Sequence, residues 1–317
     1  MIAKLNGINY FRQPFAQMAE LVDALVSNTS GCKSVPVRPR PSVPISHTLI
    51  IYAHNSESAL KKTLSHHISQ FNDIVIVDDD SQDETVDYIK THFDETCHMI
   101  KNPYFMGYAA SINTAIEHAK TDWVIVCHAD TKMELSLYTE STPFSPSSDS
   151  SSDNIIAIIP GELAPLKFSF QTGQRSCNIA GKLSQAIAIN RDKFRHMGGL
   201  DPLYYPGGYE WADLLYLAQQ RGWQVQSDPE WKVTTGQDLI SHWYDVRQQK
   251  KILTIRNELL LTWKTTDKII YWVVHSSVML MSLFLFRIQL FRGVFHACRR
   301  LTILYHSRKM RGPILGG

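Results

Sequence analysis

Ile74-Val75-Ile76-Val77-Asp78-Asp79-Asp80-Ser81-Gln82-Asp83 is the stretch on which the fold turns. Four β-branched apolar residues run without alternation into three carboxylates. An unbroken apolar run suits a strand buried on both faces, as in a parallel sheet. Ser81 and Glu84 stand at capping-box spacing, so a helix is expected to start at the turn and to carry Val86, Ile89 and Lys90. Strand, acidic turn and helix place the aspartates at the carboxyl edge of a sheet, where open α/β sheets take their ligands. Three carboxylates disfavour a bare phosphate. They accept hydrogen bonds from base N–H groups and ribose hydroxyls, or they face a cation. A solvated acidic turn without a ligand accounts for this stretch, taken alone, equally well.

Outward from the turn, strands alternate with helices. His47–His54 reads as a strand, Asn55–Ser58 as a turn and cap, and a helix follows to about Gln70. After the acidic turn a helix runs to about Phe93, then a short strand spans Cys97–Lys101. Asn102-Pro103 breaks the chain. Ala109, Ile112, Ile116 and Ala119 fall at helical spacing, and Asp122–Cys127 is a further buried strand ending in His128-Ala129-Asp130-Thr131. Four such alternations predict a parallel, Rossmann-like sheet of βα units. Ser141–Asp153, rich in Ser, Pro and Asp, is expected to be a mobile surface insertion. Asn154–Pro160 is another strand, and Met197–Pro202 is rich in turn residues. Tyr209–Leu214 opens a helix that runs to about Gln220, with Gly222 placed to stop it and a short strand from Trp223.

The composition bounds the partners. The chain has 317 residues and a net charge of +2, with no basic excess to suggest nucleic acid. Its five cysteines are scattered without zinc or disulfide-framework spacing, which favours a reducing compartment. Residues 1–44 read differently from the rest. Met18 to Pro44 resembles the conceptual translation of a bacterial leucine tRNA gene, so residues 1–44 are expected to be a non-native or disordered leader, with the true start near Pro44. Residues 45–245 form the expected α/β domain and 246–317 a helical C-terminal region. There Ile252, Ile255, Leu259 and Trp263 share one helical face with Arg and Lys opposite. Ile269–Phe286 has no formal charge over eighteen residues, and Arg287, Arg292, Arg299, Arg300, Arg308, Lys309 and Arg311 follow. A spanning helix needs ~20 apolar residues. A helix lying in the membrane interface beside a basic face fits this pattern better; a helical hairpin packed on the domain is the alternative.

The order of motifs from about Ser46 to Gly236 resembles the family 2 glycosyltransferases of GT-A fold, especially bacterial rhamnosyltransferase-like members. The family's Tyr-Asn-Arg-like turn is His54-Asn55-Ser56. Its Val-Asp-Asp-Gly-Ser-x-Asp is Val77–Asp83, and its Asn-x-Gly-Phe-Ala-x-x-x-Asn segment is Phe105–Asn113. Gly-Gly-Phe-Asp is Gly198–Asp201, and Gly-Glu-Asp-x-Asp-Leu is Tyr209–Leu214. The resemblance implies a GT-A fold with a C-terminal helical, membrane-associating extension. It implies nucleotide-sugar binding by Asn55, Asp78, Asp79 and Asn113, with Asp79 favoured over Asp78 for the nucleoside. Asp130 matches the second Asp of the family's Asp-x-Asp and would bind substrate through Mg²⁺ or Mn²⁺. His128 stands at the first position, where a structural role is the simpler account. An inverting transfer needs a base. The family's Glu-Asp pair has become Glu210-Trp211, which leaves Glu210 or Asp213, with Glu210 favoured. Many relatives carry a His after the last core strand. Val233–Gly236 has none, so Lys232, His242 or Arg247 could meet the diphosphate instead.

These residues predict an inverting, cation-assisted glycosyltransferase that uses a UDP- or dTDP-sugar. Its acceptor would be a lipid-linked or growing envelope polysaccharide, and its place the cytoplasm, peripheral on the inner membrane face. A nucleotidyltransferase would need a Gly-rich, basic loop after the first strand, which Tyr52–Lys61 lacks. The non-enzymatic alternative is a degenerate GT-A module that binds nucleotide-sugar without turnover.

Overall fold

The apolar run is a strand, β2 (Phe71–Asp78), in a computed structural model that describes residues 45–134, 154–161, 186–229, 231–235, 247–265, 273–274, 277, 280–281 and 288–310. All of them belong to one unit, Val43–Gly317. The leader, the Ser141–Asp153 insertion and most of the Ile269–Phe286 run lie outside the described residues.

β1 (Ile45–Ala53) lies between β2 and β4 (Trp123–His128), parallel to both, and β3 (His98–Lys101) flanks β2. The helices between them are α1 (Glu57–Ile68), α2 (Thr85–Phe93) and α3 (Tyr108–Glu117). Ile74 and Ile76 pack on one face of the sheet with Leu60, Leu64 and Ile89, while Val75 and Val77 pack on the other with Ile112 and Ile116. Burial on both faces is why the run shows no alternation.

Beyond β4 the sheet departs from the parallel expectation. Its order is β3-β2-β1-β4-β7-β6-β8, with β6 Ile155–Pro160, β7 Ala186–Asn190 and β8 Gln224–Asp228. β7 runs antiparallel to both β4 and β6, so the sheet is mixed. A buried Ala-Ile-Ala-Ile run reads the same in either direction, and nothing in it signals the reversal. A second, two-stranded sheet pairs β5 (Thr131–Glu134) with β9 (Lys232–Thr235).

The helix after the acidic turn also starts later than its capping-box spacing predicts, at Thr85. Ser81 is used elsewhere: its Oγ accepts from Asn55 N at 2.9 Å. Asp83 instead takes the Thr85 amide at 3.1 Å. Local side-chain bonds have tied the turn to the end of β1 rather than to its own helix.

α4 (Arg191–His196) and a 3₁₀ turn (Pro202–Tyr204) lead to α5 (Glu210–Gln220). α5 ends as expected. Gly222, at φ +87°, donates to Gln219 O and Trp223 N reaches Ala218 O, a Schellman stop. The C-terminal helices are α6 (Arg247–Thr265), α7 (Ile288–Cys298) and α8 (Leu301–Met310). α6 does bury Ile255, Leu259 and Trp263, but it buries Arg256, Asn257, Glu258 and Lys264 as well. These polar residues face protein, not solvent. No described helix is long and apolar enough to cross a membrane.

Candidate functional site

Register brings the motif residues to one edge. Tyr52 of β1 stands opposite Val77 of β2 and His128 of β4, so the acidic turn and the His128–Asp130 corner flank the end of β1. At a strand spacing of ~4.8 Å they lie roughly 10 Å apart. Asp79 N donates to Ala53 O at 2.9 Å and Ala129 N to Tyr52 O at 3.0 Å, which fixes both corners to β1.

The two aspartates of the turn are unlike. Asp79 is fully buried. Its Oδ1 accepts from Asn102 Nδ2 and Met106 N, each at 2.8 Å, and its Oδ2 from Gly107 N and Tyr52 OH, each at 2.9 Å. Four donors fill a carboxylate's capacity. Asp78 is as deeply buried, and Ser81 alone serves it, its N donating to Oδ2 at 3.3 Å. Its Oδ1 has no hydrogen-bond partner. Burial, the largest cause, raises its pKa above the ordinary carboxylate value, against the Ser81 bonds and the more distant Lys101 and His54.

Asn55 and Asn113 are committed to the protein. Asn55, at φ +50°, accepts from Gln82 N at 2.7 Å. Asn113 takes Leu200 N at 2.8 Å and gives to Leu200 O at 2.9 Å, tying α3 to the Gly198–Asp201 turn. A Cβ on Gly199 would meet Asn113 Oδ1 at 2.7 Å, and its φ is +70°. The glycine is required by this contact as well as by its backbone.

Asp130 is half-buried just beyond β4. α1 grips the corner on both sides of it: Thr63 Oγ1 donates to Ala129 O at 2.6 Å, and His67 Nε2 meets Thr131 O at 2.8 Å. Burial lowers the His67 pKa to about 4, so it is a neutral donor. His128 is buried, its ring stacked on Tyr108 at 5.1 Å and edge-on to Tyr52 at 5.4 Å. Among the described residues no group of three or more His, Cys, Asp or Glu forms a metal cluster. One carboxylate at this corner still suits Mg²⁺ or Mn²⁺, since such ions keep several waters and take diphosphate oxygens as ligands. Thr235 pairs with Thr131, so the last residue of β9 lies beside the Asp130 corner. Lys232, opposite Glu134, lies at the far end of that ladder. His242 and the side chain of Arg247 lie outside the described residues.

Glu210 opens α5 and is buried. Burial is the main cause that lifts its pKa from 4.5 to about 7. The Gly208 and Glu210 amides and Arg256 pull the other way, while Asp213 adds to the rise. Its Oε1 has no hydrogen-bond partner. Asp213 stands apart from it in environment: Lys264 Nζ bridges Asp213 and Asp201, at 2.5 Å from each. Trp211 packs in the core, its ring 6.0 Å from Phe194, and its Nε1 donates to Tyr108 OH at 2.9 Å. Tyr108 thus touches both His128 and Trp211. Trp231 is buried as well. Sequence reasoning missed the parts played by Tyr108, Asn102 and Lys264. Nothing in the pattern of α6 marks the last, which lies off the Ile252, Ile255, Leu259 and Trp263 stripe.

Residues 48–137 match the model for glycosyl transferase family 2. The matched segment runs from β1 through Asp130 and holds Asn55, Asp78, Asp79, Asn113 and Asp130, while Glu210 lies outside it. No curated protein matches the chain. Among solved structures, GalNAc-T7 with UDP, GalNAc and Mn²⁺ is similar over 70% of this chain, with 20% identity and a TM-score of 0.52. The likeness covers 48% of that protein's chain, so this chain spans about half its length. The mannosyltransferase PcManGT from Pyrobaculum calidifontis, in complex with GDP-Man and Mn²⁺, is 15% identical over 80% of this chain and 72% of its own, with a TM-score of 0.46. S. aureus TarS 1-349 in complex with UDP-GlcNAc is 12% identical over 70% and 67%, with a TM-score of 0.47. The first of these likenesses shows the fold: α/β, GT-A-like, around a mixed central sheet.

Proposed function

We propose that this chain is an inverting glycosyltransferase that moves a sugar from a UDP- or dTDP-sugar to a lipid-linked or envelope polysaccharide acceptor. The observation that carries the reading is Glu210: a buried carboxyl with an open oxygen and a pKa lifted to about 7. It opens α5, which is joined to the family 2 segment by the Trp211–Tyr108 hydrogen bond. A base of that strength is matched to taking a proton from a sugar hydroxyl near neutral pH.

Glu210 Oε1 takes the proton as the acceptor oxygen bonds to the anomeric carbon. The bond from that carbon to the diphosphate breaks, its electron pair leaves with the nucleotide, and the configuration inverts. Asp78 offers its open, buried oxygen to a base N–H or a ribose hydroxyl. Asp79, Asn55 and Asn113 hold the frame, so the nucleoside contact moves from Asp79 to Asp78. Asp213 anchors α5 through Lys264. Asp130 would hold a Mg²⁺ or Mn²⁺, which when bound neutralises charge on the departing diphosphate. The GalNAc-T7 structure that shares this fold was solved with UDP and Mn²⁺.

The place of work is the inner membrane face, to which the enzyme attaches peripherally. In support, α7 and α8 expose Ile288, Phe295, Ile303 and Tyr305 beside the exposed Arg292, Arg299 and Lys309. Apolar and basic groups side by side suit an anionic lipid surface. The rhamnosyltransferase-like motifs keep dTDP-sugars among the donors.

A second reading, a nucleotide-sugar-binding module without turnover, is favoured by Trp211 at a position where the resembled family has a carboxylate. Binding of UDP, dTDP and GDP, with and without Mg²⁺ or Mn²⁺, separates the outcomes. Cation-dependent binding of one nucleotide, lost in Asp130→Ala, is expected. Cation-independent binding removes Asp130 from the site, and no binding by folded protein defeats both readings.

A further inference from the structure

The chain from Tyr204 to Tyr209 delivers Glu210; Tyr204 is buried in the core, and the stretch between it and α5 carries two glycines. α5 has no side-chain cap, Tyr209 at its N-terminus sits at φ +80°, and Gly208 at +100°. Gly207 and Gly208 offer no side chain to pack, so the only handles on them are their backbone groups. α6 takes hold of those handles. Arg256 Nη2 donates to Tyr204 O at 3.0 Å and Tyr205 O at 2.8 Å. Asn257 Nδ2 donates to Gly207 O at 3.1 Å and Gly208 O at 2.9 Å. Arg256 Nε donates to Asn257 Oδ1 at 2.8 Å, which joins the two grips. Glu258 Oε1 accepts from Tyr209 OH at 3.0 Å. The intervening carbonyl, Pro206 O, accepts from Tyr108 N of α3 at 2.9 Å. Every residue from 204 to 209 is therefore bonded, five of the six by three successive residues of one helix.

Successive residues of a helix point about 100° apart. Three of them reach a single loop only because that loop wraps around the helix. All three are buried, Asn257 completely. Packing alone would be served by apolar residues there, and burying an arginine is favourable only where its donors are used.

We propose that Arg256, Asn257 and Glu258 are positioning residues that set Glu210 for proton abstraction, which makes α6 a working part of the catalytic apparatus. The proposal rests on Glu210 being the base. It predicts that the clamp keeps water away from the carboxyl and holds it beside the sheet edge. The charged and titratable groups around Glu210 are Arg256 of α6, Asp213 of its own helix and Tyr108 of α3, whose phenol is pushed well above its ordinary value by burial.

The test uses the full chain with ¹³C-carboxyl-labelled glutamate, the Glu210 signal being assigned by its loss in Glu210→Gln. The wild type is expected to titrate at about 7. Asn257→Leu keeps the volume and charge but removes both donors. Its Glu210 midpoint is expected to fall by at least about one unit, and amide exchange at 207–210 to rise at least about tenfold, as a loosened loop admits water. Thr121→Ala, which removes the hydrogen bond from Thr48 N at the opposite end of β1, is expected to leave both unchanged. If Asn257→Leu does not fold, Arg256→Lys carries the same test, since it keeps the charge and loses the fork. An unmoved midpoint overturns the proposal, as does an equal shift in Thr121→Ala, which would mean general loosening. The base reading fails separately, if Glu210→Gln releases UDP or dTDP from its sugar donor as fast as wild type.

Discussion

Asp79 and Glu210 are both buried carboxylates, and the protein treats them in opposite ways. Asp79 lies in the segment that matches the family, and four protein donors fill it. Glu210 lies outside that segment, keeps an oxygen open and is lifted toward neutrality by burial. The first arrangement ties the turn to its neighbours, and the second leaves a carboxyl with an oxygen unpaired. The contrast teaches that burial alone does not mark a functional carboxylate. What separates Glu210 from Asp79 is an oxygen left open.

The comparison breaks most visibly at Asp79. Asp79→Ala leaves three buried donors and one half-buried donor without an acceptor, and at ~1–3 kcal/mol for each such group we expect a loss of at least about 4 kcal/mol in urea melts. A loss under about 2 kcal/mol would show that the network is not what holds the turn. Next comes Lys264→Met, which strands Asp201 and Asp213 in the interior. A broken buried pair costs about 3–5 kcal/mol, and calorimetry should show a correspondingly lower melting temperature.

Glu210→Gln inverts the pattern. Turnover should fall at least ~10²-fold while nucleotide affinity holds. In stability the sign follows from the raised pKa. The folded state binds the Glu210 proton up to about pH 7, the unfolded chain only to about 4.5. This contribution is therefore full below 4.5 and is lost as pH rises through 7, about 3 kcal/mol in all. Urea melts across that range should show the decline in wild type and its absence in the variant. Turnover should climb with pH to a plateau above about 7, because only the ionised carboxylate accepts a proton. The smallest effect is at Trp211→Phe, which removes one hydrogen bond to Tyr108 and should cost about 1 kcal/mol beyond the loss of ring area.

Much of this was legible in the sequence because it is local. The Ile74–Val77 run announces a strand buried on two faces, and the carboxylates after it announce the edge. The direction of β7 was hidden because a short apolar strand carries no polarity of its own. The difference between Asp78 and Asp79 was hidden because it depends on Asn102, Met106 and Tyr52, brought in from elsewhere in the chain. The late start of α2 had the same cause, since Asn55 competes for Ser81. Arg256, Asn257 and Lys264 looked like a solvated helix face because nothing within α6 tells that a loop wraps around it.

The Tyr108–Trp211 hydrogen bond carries a history. In the family pattern this chain resembles, the first of those positions is Phe and the second is Asp. If the ancestor had that pair, a tryptophan arriving first would have buried an indole N–H against a phenylalanine, with no acceptor. A tyrosine arriving first could have given its hydroxyl proton to the aspartate, and later turned the same oxygen to receive from the indole. One order passes through a destabilised protein and the other does not, so the two replacements have a direction in time. Melting the wild type beside Tyr108→Phe, Trp211→Asp and the double variant would reveal it. Tyr108→Phe, which keeps the tryptophan and takes away its acceptor, should lose about 1–3 kcal/mol against the wild type, and an unchanged stability removes the arrow.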